Sequence, residues 1–330
     1  MAGYIFRRVL AMFGMLIALS MVTFLMFAVI PADPARLSCG KTCTPAIIAA
    51  NNELYGLDKP IVQQYVAFAK GLVVGRTYGS GPTLVECPAP CLGYSFVQNA
   101  NVTDLIMTAL PVTLNLAIGA FILMLVVGVG VGVISALRRG QVVDRAAMGA
   151  ALFFYSFPVF FIGLVLLYFV KIKWRIIPAT VEYAPLHEDP VAYFQVMILP
   201  WITVALLYAA FYSRLTRNQM LETLGEDYIR TARAKGLPER VVIRKHAFRA
   251  GLTPIVTAAG LDLAGLLGGA VITESIFRLN GIGRLSINAV TNTDLPVVAG
   301  TVLVAAVFVI VANLIVDLLY AVIDPRVRLT

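Results

Sequence analysis

Few residues of this chain have the chemistry to bind a metal or attack a substrate: four cysteines and two histidines in 330 residues. Cys39-Gly-Lys-Thr-Cys43 and Cys87-Pro-Ala-Pro-Cys91 lie in one segment, and no cysteine occurs elsewhere. Four thiolates could close a zinc site or hold an iron–sulfur cluster. On an oxidising side of a membrane the same thiols form two disulfides, in one of three pairings. His187 and His246 have no second His or Cys at ligand spacing, so neither builds a metal site. His246 lies among basic residues with no nucleophile beside it, and reads as solvated or interfacial. No Gly-x-x-x-x-Gly-Lys-Ser/Thr loop is present to cradle the phosphates of ATP, and no Gly-x-Ser-x-Gly elbow raises a serine. The expectation is a chain with no catalytic residue, no metal and no cofactor of its own.

The elements that position these residues are apolar and long. Hydrophobic residues make up 59% and charged residues 13%, with a mean hydropathy of +0.85. A soluble domain is nearer 45–50% apolar and about 25% charged. Six runs approach or exceed the length that crosses a bilayer as a helix: about Val9–Ile30, Leu110–Leu137, Met148–Val170, Val196–Tyr212, Ile255–Ile276 and Val298–Ile323. The fold class is therefore all-α and polytopic, with membrane lipid as the solvent and no nucleic-acid partner implied by the net charge of +8. The first run is too long for a signal-peptide core and is read as an uncleaved helix.

Six spans place both termini on one side. Sixteen Lys/Arg then share that side: Arg7 and Arg8; Arg138, Arg139 and Arg145; nine from Arg214 to Arg249; and Arg326 and Arg328. Of the other ten, five fall in a loop of more than 70 residues, which crosses regardless of charge. The bias predicts cytoplasmic termini and an external segment at 31–104. Disulfides are thus expected for Cys39, Cys43, Cys87 and Cys91, with cross-cluster pairing favoured over a bridge within each cluster. Such a pairing would close a loop of about 45–50 residues and restrict the unfolded chain by roughly 4 kcal/mol in the entropy treatment.

Within 31–104, Ala46–Leu54 and Ile61–Ala69 have helical patterning, Pro60 is placed to start the second helix, and Arg76–Tyr94 is expected to be irregular loop. In the spans, Gly128-Val-Gly-Val-Gly132 offers close helix packing. Pro158, in Ser156-Phe-Pro-Val-Phe160, should kink the third. Intramembrane carboxylates are scarce: Asp262 in the fifth span, Glu274 near its external end and Asp317 late in the sixth. Three scattered carboxylates do not make a proton relay.

The one long polar interruption is Asp227–Pro254, basic, with residues for two short helices and a turn. Its segment Tyr228-Ile-Arg-Thr-Ala-Arg-Ala-Lys-Gly236 resembles the coupling loop of ABC importer permeases, usually Glu-Ala-Ala, three residues, Gly, nine residues, Ile-x-Leu-Pro. Counted from Gly236, Arg230, Thr231 and Ala232 hold the Glu-Ala-Ala places, and His246, Phe248 and Arg249 the Ile, Leu and Pro places. Ala232 and Gly236 match strictly. The variant in this chain is similar to that of dipeptide/oligopeptide-type permeases. So are Tyr55-Gly-Leu-Asp-Lys-Pro60 with Gln64-Tyr65, Leu110-Pro-Val-Thr-Leu-Asn-Leu-Ala117, Glu274–Leu285, Asp294-Leu-Pro296 and Asp324-Pro-Arg-Val-Arg328. The first-loop length resembles that of the B-type subunit.

The resemblance implies a type I importer fold of six helices with an extracytoplasmic insertion after the first. Its parts would be 1–30, the external 31–104, a transmembrane domain 105–323 containing the coupling stretch 214–254, and a tail 324–330. It implies coupling to an ATPase through Arg230, Thr231, Ala232, Arg233, Lys235, Gly236 and Leu237, with Ala232 and Ala234 small enough for a partner's close approach. It also implies a surface for a substrate-binding protein at Arg278, Asn280, Gly281, Gly283 and Arg284. The implied partners are a second homologous permease, two ATP-binding subunits carrying ATP and magnesium, an extracytoplasmic binding protein and a peptide substrate, in a bacterial cytoplasmic membrane. Nickel, glutathione or another small solute is the alternative cargo on this scaffold, and an ion-coupled transporter or channel the alternative class.

Overall fold

The computed structural model describes residues 2–28, 44–55, 58–78, 84–178 and 181–323. Cys39, Cys43 and the Asp324–Arg328 ending lie outside them. Helix α1 is Ala2–Ala28, α2 Pro45–Tyr55 and α3 Ile61–Val74; strands β1 (Arg76–Tyr78) and β2 (Val85–Cys87), then β3 (Tyr94–Ser95) and β4 (Ala100–Asn101), form two short hairpins. Helix α4 is Val102–Leu137, α5 Val142–Tyr155, and α6 Val159–Leu166, which continues through π-helical turns to Lys173. Helix α7 is Pro190–Gly225 and α8 Asp227–Ala234; α9 runs from Glu239 to Leu267 with a π-helical stretch at Val242–Phe248. Then come α10 (Val271–Phe277), α11 (Ile282–Thr291) and α12 (Leu295–Ile323). Among the described residues five helices are long and apolar enough to cross a membrane, and six if α5 and α6 count as one broken span.

The core is the seam between α4 and α7, the most extensive helix pair. They run parallel: a Cβ on Gly128 would lie 2.6 Å from the Tyr212 Cβ, and one on Gly132 2.6 Å from the Thr216 Cβ. Two glycines one turn apart therefore let the backbones touch, as the spacing predicts. The seam continues through Ala117, Ala120 and Met124 against Val204 and Ala205, with Ile255 and Ala259 of α9 closing it.

Two spans depart from the sequence expectation. The third is broken rather than kinked: α5 and α6 meet at 99° across Ser156–Pro158. Pro158 has no N–H, and it starts α6 as its N-cap. The run Ile255–Ile276 is not one helix either. α9 stops at Leu267, and Gly269, at φ +111°, turns the chain into the separate α10. A left-handed residue is cheap only for glycine. The Gly268-Gly269 pair is the signal that hydropathy alone overrode.

The expected helices of the external segment are present as α2 and α3, with Pro60 as the N-cap of α3. Arg76–Tyr94 is irregular only in part: among its described residues 88–93 form no helix or strand, but Arg76–Tyr78 and Val85–Cys87 are strands. Arg76, Thr77 and Tyr78 pair antiparallel with Cys87, Glu86 and Val85. The favoured cross-cluster pairing is also corrected: Cys87 is bonded to Cys91, their Cα atoms 5.4 Å apart. The turn after β2 brings the two together, and they are buried with Tyr78. Burial pushes the Tyr78 phenol up, partly opposed by the adjacent Arg76 guanidinium.

Candidate functional site

The basic stretch forms a stub at one end of the helices. Helix α8 has one apolar side: Ile229 and Ala232 are buried with Met220 of α7, Ala136 of α4, and Val242 and Ala247 of α9. Its other side, with Tyr228, Arg230, Thr231 and Arg233, is exposed, as are Lys235, Gly236 and Leu237. The helix ends in a Schellman turn. The Gly236 N–H donates to the Arg233 carbonyl at 2.9 Å and the Leu237 N–H to the Ala232 carbonyl at 3.4 Å, with Gly236 at φ +74°. Pro238 follows as the N-cap of α9. An Arg233–Glu239 ion pair at 2.7 Å spans the turn; both partners are exposed, so its worth is below about 1 kcal/mol. The stub is thus a rigid protrusion with a basic outer face, continuous through α9 with a spanning helix. Ala232 is corrected: it packs inward, on the protein's own helices, and does not offer a partner close approach.

Beneath the stub a second constellation fixes the short connection from α4 to α5. Asp144 is 3% exposed. Arg217 of α7 holds it bidentately, Nε to Oδ1 at 2.7 Å and a terminal nitrogen to Oδ2 at 2.9 Å. The Ser135 hydroxyl and the Gly140 N–H complete its shell. Replacing Arg217 by methionine leaves a buried carboxylate without its strongest donors. Stability should fall by about 2–3 kcal/mol, and an added Asp144→Asn change should recover part of the loss. Thermal unfolding of the detergent-purified protein measures both.

At the opposite end a carboxylate organises the loop. Glu274 of α10 has no exposed surface. The Thr113 hydroxyl of α4 donates to its Oε1 at 2.8 Å, the Arg284 N–H to its Oε2 at 2.8 Å, and the Gly283 N–H also bonds it. The Ile282 N–H in turn donates to Thr113 at 2.8 Å. Negative charge at the first N–H groups of α11 satisfies donors that a helix leaves open. A Cβ on Gly281 would lie 2.5 Å from the carboxyl, so this position has no room for a side chain. Nearby, the buried Asp294 accepts from Ser95 of the second hairpin at 2.5 Å, tying that hairpin to the turn before α12.

Residues 128–329 match the family described as "Binding-protein-dependent transport system inner membrane component", and residues 1–117 its N-terminal companion. The chain belongs to this family. Two relatives extend the match over its length. A "Probable peptide ABC transporter permease protein" of Sinorhizobium fredii is 35% identical over 328 residues, covering 99% of this chain and 100% of the relative. The "Dipeptide transport system permease protein DppB" of Escherichia coli K12 is 36% identical over 351 residues, covering 99% of each. The fold is that of a solved structure of the MetNI methionine ABC transporter in inward-facing conformations, with a TM-score of 0.51 at 19% identity over 67% of this chain and 97% of that one.

Membership in this permease family makes the chain a multi-pass inner-membrane component, and the alternative of an ion-driven transporter acting alone falls with it. Of the residues expected to couple to an ATPase, Arg230, Thr231, Arg233, Lys235, Gly236 and Leu237 are exposed in this permease. The five residues expected to face a binding protein divide. Arg278 and Asn280 are exposed and are held by Arg284, whose side chain donates to the Arg278 carbonyl and the Asn280 side chain. Gly281 and Gly283 are buried against Glu274, so they shape the loop and do not face outward. Sequence reasoning quoted Thr113 and Asp294 only within resembling motifs, without a role, and missed Asp144 and Arg217. The Asp144–Arg217 pair joins positions 73 apart and the Thr113–Glu274 pair positions 161 apart; no local pattern marks such pairings.

Proposed function

We propose that this chain is one of two permease subunits of an ATP-driven importer that carries dipeptides or oligopeptides into the cell, with both termini in the cytoplasm. The observation that carries the reading is the end-to-end similarity to permeases named for dipeptide and peptide transport. The count of sixteen Lys/Arg that six spans assign in the sequence to the side of Asp227–Pro254 supports the orientation. Two ATP-binding subunits hold ATP and magnesium, and one of them docks on the exposed face of α8. A homologous second permease completes the pathway, and an extracytoplasmic binding protein delivers peptide at the loop of Arg278 and Asn280. A two-state rigid element is what such coupling requires, and the stub continuous with α9 has that form.

Co-expression with the sister permease and ATP-binding subunits should yield one complex. In liposomes that complex should accumulate a labelled dipeptide only with ATP and binding protein present. Uptake without ATP, or uptake of nickel or glutathione in place of peptide, would overturn the reading.

A further inference from the structure

The cavity at the break of the third span serves neither coupling nor docking. It measures about 620 Å³ and is lined by residues 155–158 of the break, Leu207, Tyr208 and Phe211 of α7, and Asp262 of α9. That volume lies within the ~300–1,000 Å³ of small-molecule sites. A second cavity of about 340 Å³ shares Leu207 and Tyr208 with it and extends to Gly269–Thr273, next to Glu274. The two form a track along α7, from the break toward the end that carries α10. Non-helical backbone at membrane depth survives only when it is covered by protein or lines a wet cavity. The break at Ser156–Pro158 lines this one.

One feature gives the cavity a negative character: Asp262, which lines it and whose Oδ2 accepts from the Tyr212 hydroxyl at 2.5 Å. Among the described residues no Lys, Arg or His lies within ion-pairing distance of Asp262. A carboxylate in a spanning helix without a cation is expensive, and such residues mark transport paths. Aromatic faces complete the surroundings: Tyr208, Phe211 and Phe157, the last stacked on Phe161 at 5.0 Å. Aromatic faces and carboxylates both favour an alkylammonium.

We propose that Asp262 is the station of the translocation path that receives an ammonium group of the peptide in passage. The proposal rests on the peptide-importer reading. The chemistry is shared by a peptide's α-ammonium and a lysine side chain, and the choice of substrate separates the two.

The test uses the complete importer in liposomes, with Ala-Ala and Ala-Lys as substrates and ATP hydrolysis measured alongside. Asp262→Asn keeps an oxygen for the Tyr212 hydroxyl and removes only the charge. Uptake per ATP hydrolysed should fall about tenfold, equivalent to about 1.4 kcal/mol, and Asp262→Glu should recover most of it. Loss for both peptides assigns the α-ammonium; loss for Ala-Lys alone assigns the side chain. Undiminished uptake of both peptides by the Asn variant overturns the proposal. So does a complex that fails to assemble with Asn and is rescued by Glu, which would make the carboxylate part of the fold. Absence of peptide uptake by the unaltered complex refutes the importer reading instead.

Discussion

A complex carrying Gly236→Pro should assemble in the membrane, hydrolyse ATP and lose at least about tenfold of its uptake. Gly236 sits at φ +74°, and its N–H donates to the Arg233 carbonyl. Proline forbids the first and abolishes the second, at about 3 kcal/mol when it breaks a helical bond. The turn that aims α8 at the start of α9 is then gone, and with it the Arg233–Glu239 bridge. A Cβ at this position would meet nothing within 4 Å, so the damage comes from backbone conformation and not from a clash. Gly236→Ala should accordingly be mild, about 1–2 kcal/mol of left-handed strain. Parallel measurement of peptide uptake and ATP hydrolysis in liposomes checks the result, and normal coupling in the proline variant would remove the stub from the mechanism. A bulky residue at Ala232 should act differently. It overpacks the cluster with Ile229 and Val242, costing about 1–3 kcal/mol of stability.

Hydropathy reveals the spans because each must be apolar over its whole length. The six runs in the sequence fall on α1, α4, the α5–α6 pair, α7, the end of α9 with α10, and α12. Their breaks are harder to see. Pro158 announces an interruption, but the size of the bend depends on what the freed backbone faces, and that is decided by α7 and α9. The exposed face of the stub is legible in its charges, whereas the inward turn of Ala232 depends on which side of α8 meets α4, α7 and α9. The disulfide pairing shows the same limit. Spacing allowed every arrangement, and the choice follows from the β1–β2 hairpin and the turn after it.

The loop around Glu274 should be the most sensitive structural point at the end opposite the stub. Glu274→Ala strands the Thr113 hydroxyl and the N–H groups of Arg284 and Gly283 inside the protein. Each unsatisfied buried donor costs about 1–3 kcal/mol, so a total loss of at least about 3 kcal/mol is expected. Glu274→Gln keeps one accepting oxygen and should lose less, because its amide NH₂ can donate to Thr113 while the oxygen serves the two N–H groups. Thr113→Val should fall between them, since it strands the Ile282 N–H as well as one carboxylate oxygen. Thermal unfolding and protease sensitivity at residues 271–291 give the order. Were alanine no worse than glutamine, the carboxylate would not be what orders the loop. If the expected order holds, Arg278 and Asn280 keep their exposed positions only because a buried glutamate, contributing nothing to the surface itself, fixes the start of α11 beneath them.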